Sequence, residues 1–270
     1  MIPAQFRYQR ANTVEEALAA LAEHGDEAKP LAGGHSLLPL MKLRLAAPEV
    51  LVDLAPLDEL RFVRLDGDTV RIGALTRHHD LHGDGVLREH APLLAHVAGE
   101  VGDQQVRHRG TIGGSLVHAD PAADLAAALL ACDGTLVARG PRGEREIPAT
   151  EFFLGPFTTP LEPDELLTEV RLPRQTGRGW AFEKFTRRAI DWAIVGVAVC
   201  GQSVGLVNMA GTPLRASATE RALASGAPIA EAAELAAEGT SPVDEPHATA
   251  EYRRHLARVL TARALEAAAA

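Results

Sequence analysis

Two loops, each built around a pair of adjacent glycines, place the strongest constraint on what this chain can fold into. The first is Ala32-Gly33-Gly34-His35-Ser36, and the second, about eighty positions later, is Thr111-Ile112-Gly113-Gly114-Ser115. Adjacent glycines allow positive φ angles and bring backbone N–H groups close to a ligand, because no Cβ stands in the way. A run of such N–H groups forms a concave anion site, and the serine hydroxyl adds a further donor. Two loops on one plan predict a ligand with two linked anionic groups, such as a dinucleotide pyrophosphate, held between them.

The composition argues against several classes of protein. With 27 Lys and Arg against 36 Asp and Glu the formal net charge is −9, whereas a nucleic-acid binder needs basic surface to neutralise phosphates. The two cysteines, Cys132 and Cys200, are too few for a four-cysteine iron–sulfur cluster, and their apolar surroundings predict inert core thiols. The apolar runs are too short to span a bilayer, and the N-terminal segment lacks the apolar region of a secretory signal. We therefore expect a cytoplasmic protein with no membrane span and no nucleic-acid partner.

The pattern of apolar residues and turns divides the 270 residues into three units, over 1–55, 56–173 and 178–270. The stretch 173–179, rich in Pro and Gly, is the best candidate for a linker. The expected helices cover 14–22, 92–101, 125–132, 216–225, 228–238 and 247–269. The expected strands cover 29–32, 49–54, a hairpin over 60–74, then 135–138, 145–147, 166–172, 180–187, 194–200 and 203–209.

Charged residues on both sides of the second glycine loop are candidates for ligand contacts. Arg107, His108 and Arg109 precede the loop, where they either face an anion or are simply solvated. Asp120 and Asp124 follow it. Asp at a helix start is a common cap, which we favour for Asp120, whereas Asp124 is predicted to accept hydrogen bonds from a ribose.

Other candidate motifs are weaker. His78, His79 and His82 could suggest a metal site, but no second ligand cluster follows, so a solvated helix face is expected. Trp192 ends a stretch dense in aromatic and charged residues, FEKFTRRAIDW. Its indole either covers one face of a planar heterocycle or plugs the core of the third unit. Neither G-x-G-x-x-G nor G-x-x-x-x-G-K-[ST] occurs, which argues against a Rossmann or phosphate-loop fold.

Five motifs in order make the chain resemble the FAD-binding medium subunit of the molybdenum hydroxylases, a group that includes the carbon monoxide dehydrogenase medium chain and the FAD domain of xanthine dehydrogenase. They are LAGGHSLLPLMKLRL, RHRGTIGGSLVHADPAADL, FFLGPFTTPLEPDELLTEVRLP, FEKFTRRAIDWAIVGVA and GTPLRASATERAL. The resemblance implies an α+β, FAD-binding fold of the vanillyl-alcohol-oxidase (PCMH) type. Two FAD-binding subdomains would be followed by a C-terminal α+β domain of the CO dehydrogenase flavoprotein type.

The resemblance also implies where FAD binds. It places the pyrophosphate on Ala32–Ser36 and Thr111–Ser115, the adenosine side at Asp124, and the isoalloxazine ring beside Trp192. Leu167 and Lys184 are placed along the cofactor by the resemblance alone. Two departures stand out: Ser115 replaces the Asn that usually follows the second glycine pair, and the segment 203–211 is shortened, which trims the C-terminal domain.

The function implied is electron transfer. A large subunit would carry the molybdenum cofactor, a small subunit the [2Fe–2S] clusters, and this chain the FAD that passes electrons to O₂, NAD⁺ or a quinone, in a dimer of heterotrimers. This chain would contribute no catalytic acid, base or metal ligand of its own. One alternative is a self-sufficient flavin oxidase or dehydrogenase with His35 or His118 as its base. Another is a non-catalytic FAD-binding assembly module.

Overall fold

The structure is a computed structural model that describes residues 2–270. Its helices are α1 Val14–His24, α2 Leu37–Lys42, α3 His78–Gly83, α4 Gly85–His90, α5 Pro92–Glu100, α6 Gln104–Arg109, α7 Ile112–His118, α8 Asp124–Ala131, α9 Ala149–Phe152, α10 Ser217–Ala224, α11 Ile229–Glu234 and α12 Ala250–Ala269. Its strands are β1 Arg7–Arg10, β2 Ala28–Leu31, β3 Val50–Asp53, β4 Val63–Asp66, β5 Thr69–Gly73, β6 Thr135–Gly140, β7 Gly143–Pro148, β8 Leu166–Pro173, β9 Trp180–Phe185, β10 Val195–Cys200, β11 Ser203–Val207 and β12 Leu214–Arg215.

A small parallel sheet of order β1-β3-β2 forms the N-terminal unit. Helix α1 packs on it through an apolar stripe that includes Val14, Ala17 and Leu21, and the hydroxyl of Thr13 caps its first turn. Strand β1, Arg7–Arg10, is absent from the sequence prediction because all four of its residues are exposed and show no alternation. The sheet directs the end of β2 into the first glycine loop.

The middle unit is an antiparallel sheet of order β4-β5-β8-β6-β7, covered by helices. The predicted hairpin is present as β4 and β5. Helix α8 is buried along its whole length, because it packs within the middle unit and also contacts strand β11 of the C-terminal unit. A Cβ on Gly205 of that strand would overlap the carbonyl oxygen of Ala127, so the helix and the sheet can approach this closely only because the residue is glycine.

The C-terminal unit is an antiparallel sheet of order β12-β11-β10-β9 with α12 packed against β9 and β10. The segment 203–211, which is shortened relative to the family pattern, forms β11 and a turn at Asn208. The edge strand β12 is only two residues long. The single helix predicted over 228–238 is instead α11 followed by a 3₁₀ turn, Leu235–Ala237.

The stretch predicted as a linker, 173–179, is packed rather than free. Gln175 is buried, and its backbone N–H donates to His90 O at 2.7 Å. Its side-chain amide donates to Pro173 O at 2.8 Å and accepts from the Cys200 thiol at 2.8 Å. The segment therefore ties the middle unit to the C-terminal one. The three sheets fall within the three predicted ranges, and the domain boundaries remain a prediction.

Among residues 2–270, no helix is long and apolar enough to cross a membrane. Cys132 and Cys200 are both buried free thiols, which agrees with the prediction that they belong to the core.

Candidate functional site

The first glycine loop, Ala32–Ser36, connects the end of β2 to the start of α2. Gly34 has φ +78°, a left-handed conformation that favours glycine, as the sequence predicts. Among the described residues, no main-chain acceptor lies within hydrogen-bond distance of the backbone N–H groups of this loop. These donors are therefore not used within the described main chain, and the loop lines the cavity described below.

The second glycine loop, Thr111–Ser115, is built differently. It forms the first turn of α7, and neither of its glycines has a positive φ. The N–H groups of Ile112 and Gly113 donate to Thr76 O at 3.0 Å and Ala74 O at 2.8 Å. Those of Gly114 and Ser115 donate to the side chain and carbonyl of Thr111. The prediction that both loops present free N–H groups is therefore wrong for this loop, whose donors are already used to anchor it.

Gly33 of the first loop and Gly113 of the second have a different role. The lack of a side chain there lets other main-chain segments pack directly against the loops. A Cβ on Gly33 would overlap the carbonyl oxygen of Arg109 and come within 2.9 Å of Gly110 Cα, so the first loop packs against the segment that precedes the second. A Cβ on Gly113 would come within 2.7 Å of Ala74 O. A Cβ on Gly114 would lie 2.9 Å from the Thr111 hydroxyl and 3.7 Å from Ala32 Cβ. The two loops thus lie side by side, with Gly114 on the cavity wall.

A cavity of about 460 Å³ opens where the two loops meet, within the usual range of roughly 300–1,000 Å³ for a cofactor or ligand site. All three units contribute to its wall. Of the residues predicted from the sequence, only Ile112 is missing from the lining, because its side chain is fully buried in the core beneath α7. The predicted residues on the wall are Ala32, Gly33, Gly34, His35, Ser36, Thr111, Gly113, Gly114, Ser115, Asp124, Leu167, Lys184 and Trp192.

A buried ion pair lies in the wall between the middle and C-terminal units. Lys184 Nζ donates to Asp124 Oδ2 at 2.6 Å and to Glu100 O at 2.9 Å, and both charged side chains are less than a tenth exposed. Burial raises the pKa of Asp124 to about 6, although Lys184 pulls it down. Asp124 Oδ1 is buried and makes no hydrogen bond within the described residues. A buried carboxylate oxygen without a partner is costly, so a donor from a ligand in the cavity fits this position.

Trp192 lies in the loop between β9 and β10 and is 62% exposed. The alternative in which it plugs the core of the third unit is therefore wrong. Ile190, Asp191 and Trp192 all line the cavity, and Asp191 accepts from Arg188 at 2.9 Å and 3.1 Å, which braces the loop. The indole stands at the mouth of the cavity, where it can cover a flat ring.

The other candidates around the second loop have structural roles. Arg107 is not simply solvated, since its Nη1 donates to Val101 O at 3.1 Å and Gly102 O at 3.0 Å. His108 is exposed and stacks on His79, with ring centroids 4.1 Å apart. Arg109 is exposed, which fits the solvated alternative. Among the described residues no three His, Cys, Asp or Glu side chains group as metal ligands.

Two expectations about polar side chains are corrected. Asp120 does not cap the following helix: it accepts from Ala122 N at 2.8 Å in a local turn, and Ala123 is the residue before the helix. His78 is not on a solvated face but is 3% exposed beneath the second loop, on the cavity wall. Burial and the nearby cation of Arg107 lower the pKa of His78 to about 4, so its ring is neutral. The sequence does not show which histidine of α3 is buried. His78, His79 and His82 lie within two turns of one short helix, and only the packing of that helix places His78 against the protein.

The wall of the cavity fits FAD. The N–H groups of the first loop, which have no main-chain acceptor among the described residues, can donate to a pyrophosphate. Asp124 Oδ1, which has no partner there, can accept from a sugar hydroxyl, and the exposed indole of Trp192 can cover a flat ring.

Comparison with known proteins agrees with this fit. Residues 4–175 match the family described as the FAD binding domain in molybdopterin dehydrogenase, and residues 180–268 match the CO dehydrogenase flavoprotein C-terminal domain. The chain belongs to the flavoprotein medium subunits of the molybdenum hydroxylases. It is an oxidoreductase subunit, and the α+β FAD-binding fold and the FAD cofactor expected from the resemblance are confirmed.

Similar members of this flavoprotein family match along the whole chain. The carbon monoxide dehydrogenase medium chain of Hydrogenophaga pseudoflava is 42% identical over 99% of this chain and 98% of its own. The glyceraldehyde dehydrogenase medium chain of Sulfolobus acidocaldarius is 35% identical over 98% of this chain and 99% of its own. Carbon monoxide dehydrogenase from Hydrogenophaga pseudoflava, solved in a form lacking the Mo-pyranopterin moiety, superposes with a TM-score of 0.95 at 43% identity. That match covers 99% of this chain and 98% of the solved one.

Proposed function

We propose that this chain holds FAD in the cavity between the two glycine loops and works as the electron-transfer subunit of a molybdenum hydroxylase complex. Its partners would be a large subunit with the molybdenum cofactor and a small subunit with [2Fe–2S] clusters, in a dimer of heterotrimers in the cytoplasm. Bound FAD supplies the chemistry of accepting electrons one at a time from those clusters and delivering them to O₂, NAD⁺ or a quinone. The family membership and the cavity geometry support this proposal.

The two loops have different roles in this proposal. The N–H groups of Ala32–Ser36 would donate to the pyrophosphate, since they have no main-chain acceptor of their own. The second loop would let the pyrophosphate approach over Gly114, with the hydroxyl of Ser115 as an added donor. Its own N–H groups stay bonded inside the protein and keep the loop rigid.

The remaining wall residues would orient the two ends of the cofactor. Asp124 would accept from a hydroxyl on the sugar side through Oδ1, while Lys184 balances its charge. Leu167, which is buried apart from its edge on the cavity, supplies an apolar contact along the cofactor. Trp192 would cover the isoalloxazine ring and keep water from it.

The observation that carries the proposal is the row of unpaired N–H donors beside a cavity that both loops line. The first test is an absorption spectrum of the purified chain before and after addition of FAD, and Gly114→Val is the informative variant. Gly114 faces the cavity, so an added side chain fills the place of the cofactor. Gly33→Val is a poorer choice, because its Cβ would also push the two loops apart. Gly85→Ala is the matched control, since a Cβ there meets nothing within 4 Å.

Flavin bands in the wild type and the control, and their loss in Gly114→Val, would support the proposal. Absence of flavin from the wild type, even when it is co-expressed with the large and small subunits, would contradict it. Reduction of the flavin by a small organic substrate with no partner present would favour the self-sufficient oxidase instead. In that case His118 is the candidate base: it lines the cavity, and burial lowers its pKa, which keeps the ring neutral.

A further inference from the structure

Asn208, at the end of β11, is a junction between the cofactor cavity and the loop that carries Trp192. Its backbone N–H donates to Pro121 O at 2.9 Å, in the segment between the second glycine loop and α8. Its side-chain Nδ2 donates to Ala193 O at 2.9 Å and to Ile194 O at 3.4 Å. One residue of the C-terminal unit is therefore bonded both to Pro121, which follows Asp120 of the cavity wall, and to the residues that follow Trp192.

Arg253 holds the backbone of Asn208 in place. It is 1% exposed, and its Nη1 donates to Asn208 O at 3.2 Å and to Ile194 O at 3.1 Å. Its Nη2 pairs with the carboxylate of Glu245. A buried guanidinium is costly unless its hydrogen bonds are made; here Nη1 and Nη2 have partners, while Nε has none among the described residues. The carbonyls of Asn208 and Ile194 are thus held together by one buried cation.

The conformation of Asn208 supports a specific role. Its φ is +59°, a left-handed conformation that asparagine adopts more readily than other residues with a side chain. The residue therefore combines the backbone that this turn needs with a side-chain amide that reaches the loop. Glycine would adopt this backbone more easily but would lose both side-chain hydrogen bonds to the loop.

The loop itself, residues 186–194 (the Trp192 loop), is otherwise held at its ends and within itself. Ile194 N donates to Phe185 O at 2.8 Å and closes the hairpin, and the Arg188–Asp191 pair braces the tip. Neither contact ties the loop to the unit that carries the glycine loops. The packing of Ala193, which is 1% exposed, into the core of the middle unit does so. The bonds of Asn208 add a second tie, since they reach Pro121 on one side and the residues after Trp192 on the other.

We propose that Asn208, clamped by Arg253, is a positioning residue that sets Trp192 over the cofactor cavity. This inference rests on the proposed function, because Trp192 is taken to cover the flavin. Asn208 and Arg253 do not line the cavity and act only through the loop.

The test uses the full chain with Trp180→Phe, which leaves Trp192 as the remaining one of the two tryptophans. Asn208→Gly preserves the left-handed backbone and removes the two bonds to the loop. Glu220→Ala is the matched control: in the same domain it removes bonds to Val204 N at 2.8 Å and Arg215 Nε at 2.8 Å, but it has no contact with the Trp192 loop. The readouts are quenching of Trp192 emission by bound FAD, quenching by acrylamide without FAD, and the thermal midpoint.

For Asn208→Gly we expect part of the FAD quenching to be lost, acrylamide quenching to increase, and FAD to bind about fivefold more weakly. This is the effect of losing one neutral hydrogen bond, because the second bond, at 3.4 Å, is long and weak. Glu220→Ala should lower the thermal midpoint and leave both quenching measurements at the parent value. The inference is overturned if Asn208→Gly matches its parent in both quenching measurements, or if the two variants change quenching equally. If the parent binds no FAD even when it is co-expressed with the large and small subunits, the proposed function fails, while the acrylamide measurement still decides whether Asn208 holds the loop.

Discussion

The buried carboxylate of Asp124 predicts that FAD binding weakens in acid. Its unpaired Oδ1 accepts from a hydroxyl of the cofactor most strongly while the carboxylate is ionised, and its pKa in the free protein is raised to about 6, chiefly by burial. Protonation therefore weakens the contact as the pH falls through this value. The dissociation constant should rise by up to about twofold at pH 6 and up to about elevenfold at pH 5 relative to pH 7.5, or at most about 1.4 kcal/mol at the lower pH.

The assay is a fluorescence titration of the chain with FAD at several pH values, with circular dichroism to show that the protein stays folded. Asp124→Asn removes the titrating group, so its affinity should be lower at pH 7.5 and nearly constant down to pH 5. Asp120→Asn, on the same cavity wall, should keep the acid dependence. A dissociation constant of the wild type that is unchanged between pH 7.5 and pH 5 would refute the assignment of Asp124 as an ionised acceptor.

Further predictions concern the ion pair, the loop contact and the thiols. Lys184→Met removes the cation that lowers the pKa of Asp124, so the midpoint of the acid dependence of FAD binding should move up by about one pH unit or more in the same titration. Gly33→Ala forces a Cβ into the carbonyl that precedes the second loop and should cost about 1–3 kcal/mol of unfolding free energy in urea. The control glycine of α4 should tolerate alanine without loss. Cys132 and Cys200 are at most 1% exposed, so neither should react with a thiol reagent until the chain is unfolded; rapid reaction of the native protein would contradict the packing.

Secondary structure was predictable where a segment is apolar without interruption and turn residues mark its ends. Helix α8 and strand β10 are apolar along their lengths, and the sequence identifies both. Strand β1 was missed because it is exposed on all four residues and owes its conformation to pairing with β3, about forty residues later. The Pro and Gly residues of 173–179 indicate a turn, so the sequence predicts a linker there. The segment is packed because the side-chain amide of Gln175 bonds to Cys132, Pro173 and Cys200, which the sequence pattern does not reveal.

The two glycine loops show a sharper limit of sequence reasoning. Their residues share one pattern, yet only the first loop keeps its N–H groups free. Half of the difference lies outside the loops: the segment after β5 brings the carbonyls of Ala74 and Thr76 under the second loop, and these accept from Ile112 and Gly113. The donors of Gly114 and Ser115 are bonded to Thr111, which starts the helix that the first loop does not form. Whether a backbone donor is available depends on such distant acceptors, which a local motif does not encode.

The ion pair of the site likewise joins residues that are far apart in the sequence. Asp124 begins α8 and Lys184 lies sixty residues later on β9, so the pair forms only when the C-terminal sheet docks on α8. Asp124 stood out locally as an acid near a glycine loop, whereas Lys184 was indistinguishable from a solvated cation without the family resemblance. Because the cavity wall needs both, the cofactor site should be complete only when the C-terminal unit is docked. A chain truncated after residue 175 should therefore lose most of its FAD affinity even if it folds, and a truncated chain that bound FAD as tightly as the full one would show that the ion pair and the Trp192 loop contribute nothing.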